Sequence, residues 1–475
     1  MNCWRKCRPP SSGRHKEVLY TVSTMFGCIL TGMAKRFARI SIVLLLRNKL
    51  GKYWIVILSL AIVNIFLLSY NLKWMSYKRE DGTLLHQNQI YQQGHTNNHI
   101  LKWKLANRKL NGTKLAEVVK SHCSSNIQTY KRGSKGLEAF LIHQMHYVIH
   151  GSNQLYCPVE KVASTFWRRF IYQVSHKESV QHPYQVSISQ ALGQQFSHPN
   201  VNTTNGFAGH FKFLFVRDPY HRILSAYIDK LFVPNPTYWK RYGVHAIKLF
   251  RSDDDRKCFH DATFSEFVQF VVWSITNHKH IDPHFLPASE MCLPCSMNYT
   301  YIGKMETFAD DAIPIFEYFG LYNTVPFLKK DLKEYSDIDA IEDSIFSPFS
   351  WRDEIVTCMG WYEAQLRIWR KLQMRGLIDM DHKFPLNIHE AQKITREHFL
   401  ELAYGARLNS DPVKLKQQKK DVFIELYRSV PISVIQKLRD LLNSDLYLFD
   451  YEPRPKEIFD RTLKYSEQNF LNFKI

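Results

Sequence analysis

The stretch Phe211-Lys-Phe-Leu-Phe-Val-Arg217-Asp-Pro219-Tyr-His-Arg222-Ile-Leu-Ser225 constrains the fold more than any other part of the chain. Five of the six residues from Phe211 to Val216 are apolar, which suits a strand covered on both faces. Pro219 fits the first turn of a helix, where its missing N–H is not needed. Arg217 therefore sits at the carboxyl end of a buried strand and beside a helix N-terminus. Open α/β sheets bind anions at that place. Ser225 lies two turns along the same helix, and an arginine fork plus a hydroxyl suits a phosphate.

A second strand–loop–helix runs through Leu155-Tyr-Cys157-Pro-Val-Glu160-Lys161-Val-Ala-Ser164-Thr165-Phe166-Trp167-Arg168-Arg169. Its loop is small apart from Lys161, so backbone N–H groups can approach an anion while the lysine supplies a point charge. It is not a Walker A loop, because no G-x-x-x-x-G-K-[ST] occurs in the chain. Two anion loops on one sheet suggest a single ligand with two anionic ends. The expected fold class is α/β, with a mostly parallel sheet flanked by helices.

These blocks resemble the Golgi carbohydrate sulfotransferases of sulfotransferase family 2, the group that includes the chondroitin and dermatan 4-O-sulfotransferases. The Lys161–Arg169 loop is similar to their 5′-phosphosulfate loop, and Arg217-x-Pro219-x-x-Arg222-x-x-Ser225 to their 3′-phosphate segment. Asp282-Pro-His284-Phe-Leu-Pro287, Cys292-Leu-Pro-Cys295 and Tyr301-Ile-Gly303-Lys304-Met-Glu306-Thr resemble a third block. Asp445-Leu-Tyr-Leu-Phe-Asp-Tyr451 resembles the closing one. Four motifs in register carry more weight than any one alone.

The resemblance implies a P-loop-like sheet and the donor 3′-phosphoadenosine 5′-phosphosulfate (PAPS), with no metal. It implies donor contacts from Glu160, Lys161, Val162, Ala163, Ser164, Thr165 and Phe166. A second set comprises Arg217, Asp218, Pro219, Tyr220, His221, Arg222, Ile223, Leu224 and Ser225. Lys161 is expected at the leaving oxygen. His284 is expected to be the general base, with Glu306 as second candidate. An imidazole, with an ordinary pKa near 6.5, can accept a proton near neutral pH. Trp167, Phe213 and Phe215 are read as core. Two departures stand out: Glu160 replaces a usual proline and Phe166 a usual asparagine. Residues 335–430 fit the pattern poorly and are read as the place of an insertion.

The remaining features concern placement. Residues 53–72 carry no charged side chain and are long enough to span a bilayer. Eleven Lys or Arg precede them against one acid, Glu17, so the N-terminus is expected in the cytoplasm. The implied order is a basic arm (1–52), a transmembrane signal anchor (53–72) and a stem (73–145). A sulfotransferase domain (146–453) and a tail (454–475) follow. The expected location is the Golgi membrane, single-pass type II, with the catalytic domain luminal. Sequons at Asn111, Asn202 and Asn298 fall on the luminal side. Six of the nine cysteines follow the span, so disulfides are expected, though their pairing is not readable. The formal net charge of +19 favours anionic partners, and no nucleic-acid-binding motif is present. A glycan or proteoglycan acceptor is the expected partner. One alternative is a Golgi glycosyltransferase, whose cue is Ser252-Asp253-Asp254-Asp255. The other is an anchored glycan-binding protein without catalysis, whose cues are Glu160 and Phe166.

Overall fold

The structure is a computed structural model. It describes residues 110–125, 135–149, 154–176, 180–194, 198–199, 209–251, 256–465 and 467–471. The expected arm, anchor and most of the stem lie outside these residues, as do Asn202 and the acidic run 252–255. Among the described residues no helix is long and apolar enough to cross a membrane.

Two helices, α1 (Asn111–Ser125) and α2 (Lys135–Met145), lead into a four-stranded sheet. Its strands are β1 (Tyr147–Ile149), β2 (Gln154–Cys157), β3 (Phe211–Val216) and β4 (Tyr301–Lys304), in that spatial order. β2, β3 and β4 are parallel, and β1 adds an antiparallel edge. All six positions of β3 are buried, as a two-sided apolar run requires. Gly303 faces Phe215 across β3 and β4. A Cβ there would stand 2.3 Å from the Phe215 ring, so the two strands close only over a glycine.

Helix α3 (Ser164–His176) lies in the β2-to-β3 crossover and buries an aromatic face against the sheet. Trp167 is fully buried, with its ring 4.6 Å from Phe215 and 5.2 Å from Phe213. These three residues are core, as the sequence suggested. Helix α4 (Pro219–Tyr227) follows β3 directly and is capped by Asp218, whose carboxylate accepts from the His221 N–H. Helix α5 (Phe264–Asn277) starts on a Thr263–Glu266 capping box and ends at His278 in the left-handed region.

Short helix α6 (Ala288–Cys292) and α7 (Phe308–Tyr318) flank β4 in the chain. Helices α8 (Leu332–Ser350), α9 (Trp361–Met374), α10 (Arg396–Leu408), α11 (Pro412–Arg428) and α12 (Ile432–Leu448) complete the described fold. The segment read as an insertion is thus helical, and it packs around Ile341, Ile345, Ile368, Trp369 and Leu372. Buried Ile435, Leu438, Leu442 and Leu446 recur at helical spacing along α12. Asp445 is buried because its carboxylate accepts from the N–H groups of Ala288 and Ser289 at 2.7 and 2.8 Å.

Three disulfides tie the loops to this frame. Cys157 at the end of β2 pairs with Cys292, Cys123 of α1 with Cys295, and Cys258 with Cys358. Both cysteines of the C-x-x-C are therefore bonded to other elements. No group of three or more His, Cys, Asp or Glu arranged to hold a metal occurs among the described residues.

Candidate active site

The loop between β2 and α3 carries two residues in the left-handed region, Lys161 (φ 67°) and Ala163 (φ 52°). Each costs of order 1 kcal/mol in a residue with a Cβ. That backbone leads into α3, whose first N–H groups have no partner within the helix. Ser164 donates its hydroxyl to Glu160 at 2.7 Å, and Arg168 donates to the other Glu160 oxygen at 2.7 Å. Burial alone would raise the Glu160 carboxyl. Arg168, the nearby charge of His284 and the Ser164 hydrogen bond outweigh it and hold the pKa down to about 2.

Lys161 Nζ donates to Asp229 Oδ2 at 2.7 Å, just beyond the end of α4. Burial brings the Lys161 ammonium down to about 8, against the opposing pull of Asp229. Arg217 leaves the end of β3 and donates to the Lys161 carbonyl at 3.3 Å. It has no ion pair among the described residues. Burial lowers its guanidinium from the ordinary value, and Arg375 adds to that, while Glu306 and Asp218 oppose it. Arg375 follows α9 and, among the described residues, its side chain donates to the Ser344 hydroxyl at 3.3 Å. Its charge is felt at Lys161, Arg217 and Lys419. Like charges gathered with few carboxylates make a site for an anion. Ser225 is half-buried on α4.

The histidine is built into a dyad. His284 Nδ1 lies 2.5 Å from Asp282 Oδ1, and the same oxygen accepts from the His284 backbone N–H. The other Asp282 oxygen accepts from the Tyr242 hydroxyl at 2.6 Å. Burial pushes the Asp282 carboxyl up, but these hydrogen bonds and the His284 charge hold it at about 2. A proton on Nδ1 facing the carboxylate leaves Nε2 as the basic nitrogen. Tyr238 places its hydroxyl 3.3 Å from Nδ1 and its ring edge-on to the imidazole.

Several residues in the expected donor set point elsewhere. Phe166 is 3% exposed and packs its ring on Phe308 and Tyr184. Val162, Pro219, Ile223 and Leu224 are buried, and Tyr220 donates to the Pro453 carbonyl. Arg222 is 1% exposed and donates to the carbonyls of Pro283, His284 and Leu286, which braces the histidine segment. Glu306 accepts from the Asp218 N–H and the Tyr451 hydroxyl, both at 2.9 Å. Glu160, Lys161, Ser164, Arg217 and Asp218 gather at the carboxyl ends of β2 and β3, with Ala163 and Thr165 half-buried on the same loop and His221 on the exposed start of α4. Sequence reasoning assigned no role to Asp229, Tyr238, Tyr242, Lys371 or Arg375. Asp282 alone had a usable signal, two residues before His284.

A helix-flanked, mostly parallel sheet thus brings two strand-to-helix loops and a histidine–aspartate dyad together in the described chain. Residues 145–345 match the model of the sulfotransferase family. The chain is similar to carbohydrate sulfotransferase 11 of Mus musculus, at 29% identity over 38% of this chain and 55% of the relative. It is similar to carbohydrate sulfotransferase 14 of Danio rerio, at 31% over 36% and 47%. Carbohydrate sulfotransferase 9 of Homo sapiens matches at 27% over 43% and 48%. The matched region spans about half the length of these curated relatives. No solved structure matches the chain.

Proposed function

We propose that this protein transfers the sulfuryl group of PAPS to a hydroxyl of a glycan, either a glycosaminoglycan or an N-acetylgalactosamine-containing chain. One observation carries the reading. Tyr238 links His284 to the donor loop, with its hydroxyl 3.3 Å from Nδ1 and its ring 4.9 Å from Lys230, which shares Asp229 with Lys161, while Asp282 holds Nδ1 and leaves Nε2 to act as a base. Lys161 and Arg217 supply cationic charge on the same loop system. His284 Nε2 takes the proton of the acceptor hydroxyl as that oxygen bonds to sulfur. The bond from sulfur to the 5′-phosphate oxygen breaks, and Lys161 stabilises the charge left there. The products are the sulfate ester and 3′-phosphoadenosine 5′-phosphate (PAP). Arg217 and Ser225 hold the 3′-phosphate. Arg222, committed to backbone carbonyls, acts as a brace.

The same reading places the catalytic part in the Golgi lumen behind the 53–72 anchor, with glycans on the sequons. The non-catalytic alternative drew on Phe166, but a core phenylalanine leaves the donor contact to the backbone. The full-length chain in microsomes tests the proposal, using labelled sulfate from PAPS and a panel of chondroitin, dermatan and N-acetylgalactosamine-terminated glycans. Label in at least one acceptor supports it. Metal-dependent use of a nucleotide-sugar, or no transfer to any acceptor, overturns it.

A further inference from the structure

One half-buried carboxylate, its side chain 15% exposed, carries three ammonium groups beside the Lys161 loop. Asp229 Oδ2 accepts from Lys161 at 2.7 Å and lies 3.2 Å from Lys230 Nζ. Its Oδ1 accepts from Lys371 at 2.8 Å. The Lys371 side chain is 3% exposed and comes from α9, beyond the family-matched segment 145–345. Burial alone would raise the Asp229 carboxyl, but the three lysines hold it well below the usual range. Three positive charges against one negative leave a local excess of two, which favours an anion beside the group.

A lysine stem is long and flexible, and nothing in a left-handed loop fixes where its ammonium points. Asp229 fixes it here, and Lys371 fixes the other oxygen of Asp229. We infer that Asp229 and Lys371 are positioning residues for sulfuryl transfer, which aim the Lys161 ammonium and keep it charged until the donor takes it over. This rests on the reading of Lys161 as the lysine at the leaving oxygen.

The charged groups facing Lys161 are Asp229 and Lys230 after α4, Lys371 and Arg375 from α9, and Arg217 from β3. Only Asp229 among them favours the charged form. Without it, burial and the neighbouring cations act unopposed, and the ammonium loses its proton at lower pH. Without Lys371, Asp229 is shared by Lys161 and Lys230 only and one neighbouring positive charge is gone, so the proton on Lys161 is held to higher pH. The two substitutions therefore act in opposite directions, which a purely structural role would not produce.

The test is the pH profile of kcat/KM for PAPS, which reports groups of the free enzyme. The full-length chain is compared with Asp229→Asn, Asp229→Glu, Lys371→Met and Lys371→Arg, with PAP affinity measured for each. The alkaline limb should move down by about one unit or more in Asp229→Asn, about tenfold in rate at high pH. It should move up in Lys371→Met and stay near wild type in the two conservative variants, with PAP affinity retained throughout. Should Asp229→Asn fail to bind PAP, Lys371→Met against Lys371→Arg decides. Limbs that do not move, or that move together, overturn the inference. A wild-type chain without transfer overturns the proposed function instead.

Discussion

The Nδ1 atom of His284 lies 2.5 Å from Oδ1 of Asp282, and this contact leaves Nε2 as the imidazole nitrogen turned away from the carboxylate. Asp282→Asn keeps the shape but offers an amide that can hydrogen-bond either tautomer. Turnover should fall by about 10²–10⁴-fold, the range of a lost general base. PAP affinity should be unchanged, because Asp282 faces the histidine and not the donor. Titration calorimetry beside single-turnover kinetics checks both halves.

Arg217 donates to the Lys161 carbonyl and Arg375 to the Ser344 hydroxyl, and neither has a carboxylate partner among the described residues. Arg217→Ala should weaken PAP binding about 10- to 100-fold, as expected for a lost charged hydrogen bond. Arg375→Ala should act in the same direction with a smaller effect, and Ser225→Ala with the smallest. Adenosine 5′-phosphate, which lacks the 3′-phosphate, should lose far less affinity in all three. Equal losses for the two nucleotides would remove these residues from the 3′-phosphate.

Glu160 gives the fold an acid-sensitive contact. Its carboxyl titrates at about 2 when folded, against 4.5 ordinarily. Between those values the unfolded chain takes up a proton that the folded chain refuses. The contribution to stability is therefore full above pH 4.5 and is lost as pH falls toward 2. Glu160→Gln should destabilise the protein at about pH 6 more than at about pH 3. Urea denaturation at the two pH values measures the difference, and an equal gap would contradict it.

Asn111 and Asn298 are both exposed, at the start of α1 and in a left-handed turn before β4. In a luminal domain both should carry glycans. Asn111→Gln and Asn298→Gln should each remove one glycosidase-sensitive mass step from the chain expressed in microsomes. A protected N-terminal tag with no glycan elsewhere would reverse the expected topology.

Much of the sheet and both strand-to-helix loops were legible because their residues are contiguous. β3 is a two-sided apolar run ending at Arg217, and Asp218-Pro219 announces α4. Glu266 announces α5 from within its capping box. The site was less legible where it is assembled across the chain. Asp229 meets Lys371 over 142 residues, and no local pattern marks a lysine that will be buried by an ion pair. Arg222 reads as an anion ligand in sequence because a charged residue on a helix start invites that reading. Its carbonyl partners come from residues 283–286, about 60 positions away. Phe166 read as a lost donor contact because the loop was considered without α7, whose Phe308 covers it.

The central claim is that Lys161 and His284 divide one sulfuryl transfer between leaving group and acceptor. Its most direct measurement is the single-turnover rate of labelled sulfate from saturating PAPS to the best glycan acceptor, in wild type and His284→Ala. The account predicts a loss of about 10²–10⁴-fold that more PAPS does not restore, with PAP affinity intact. A His284→Ala protein retaining more than about a tenth of the wild-type rate would contradict it.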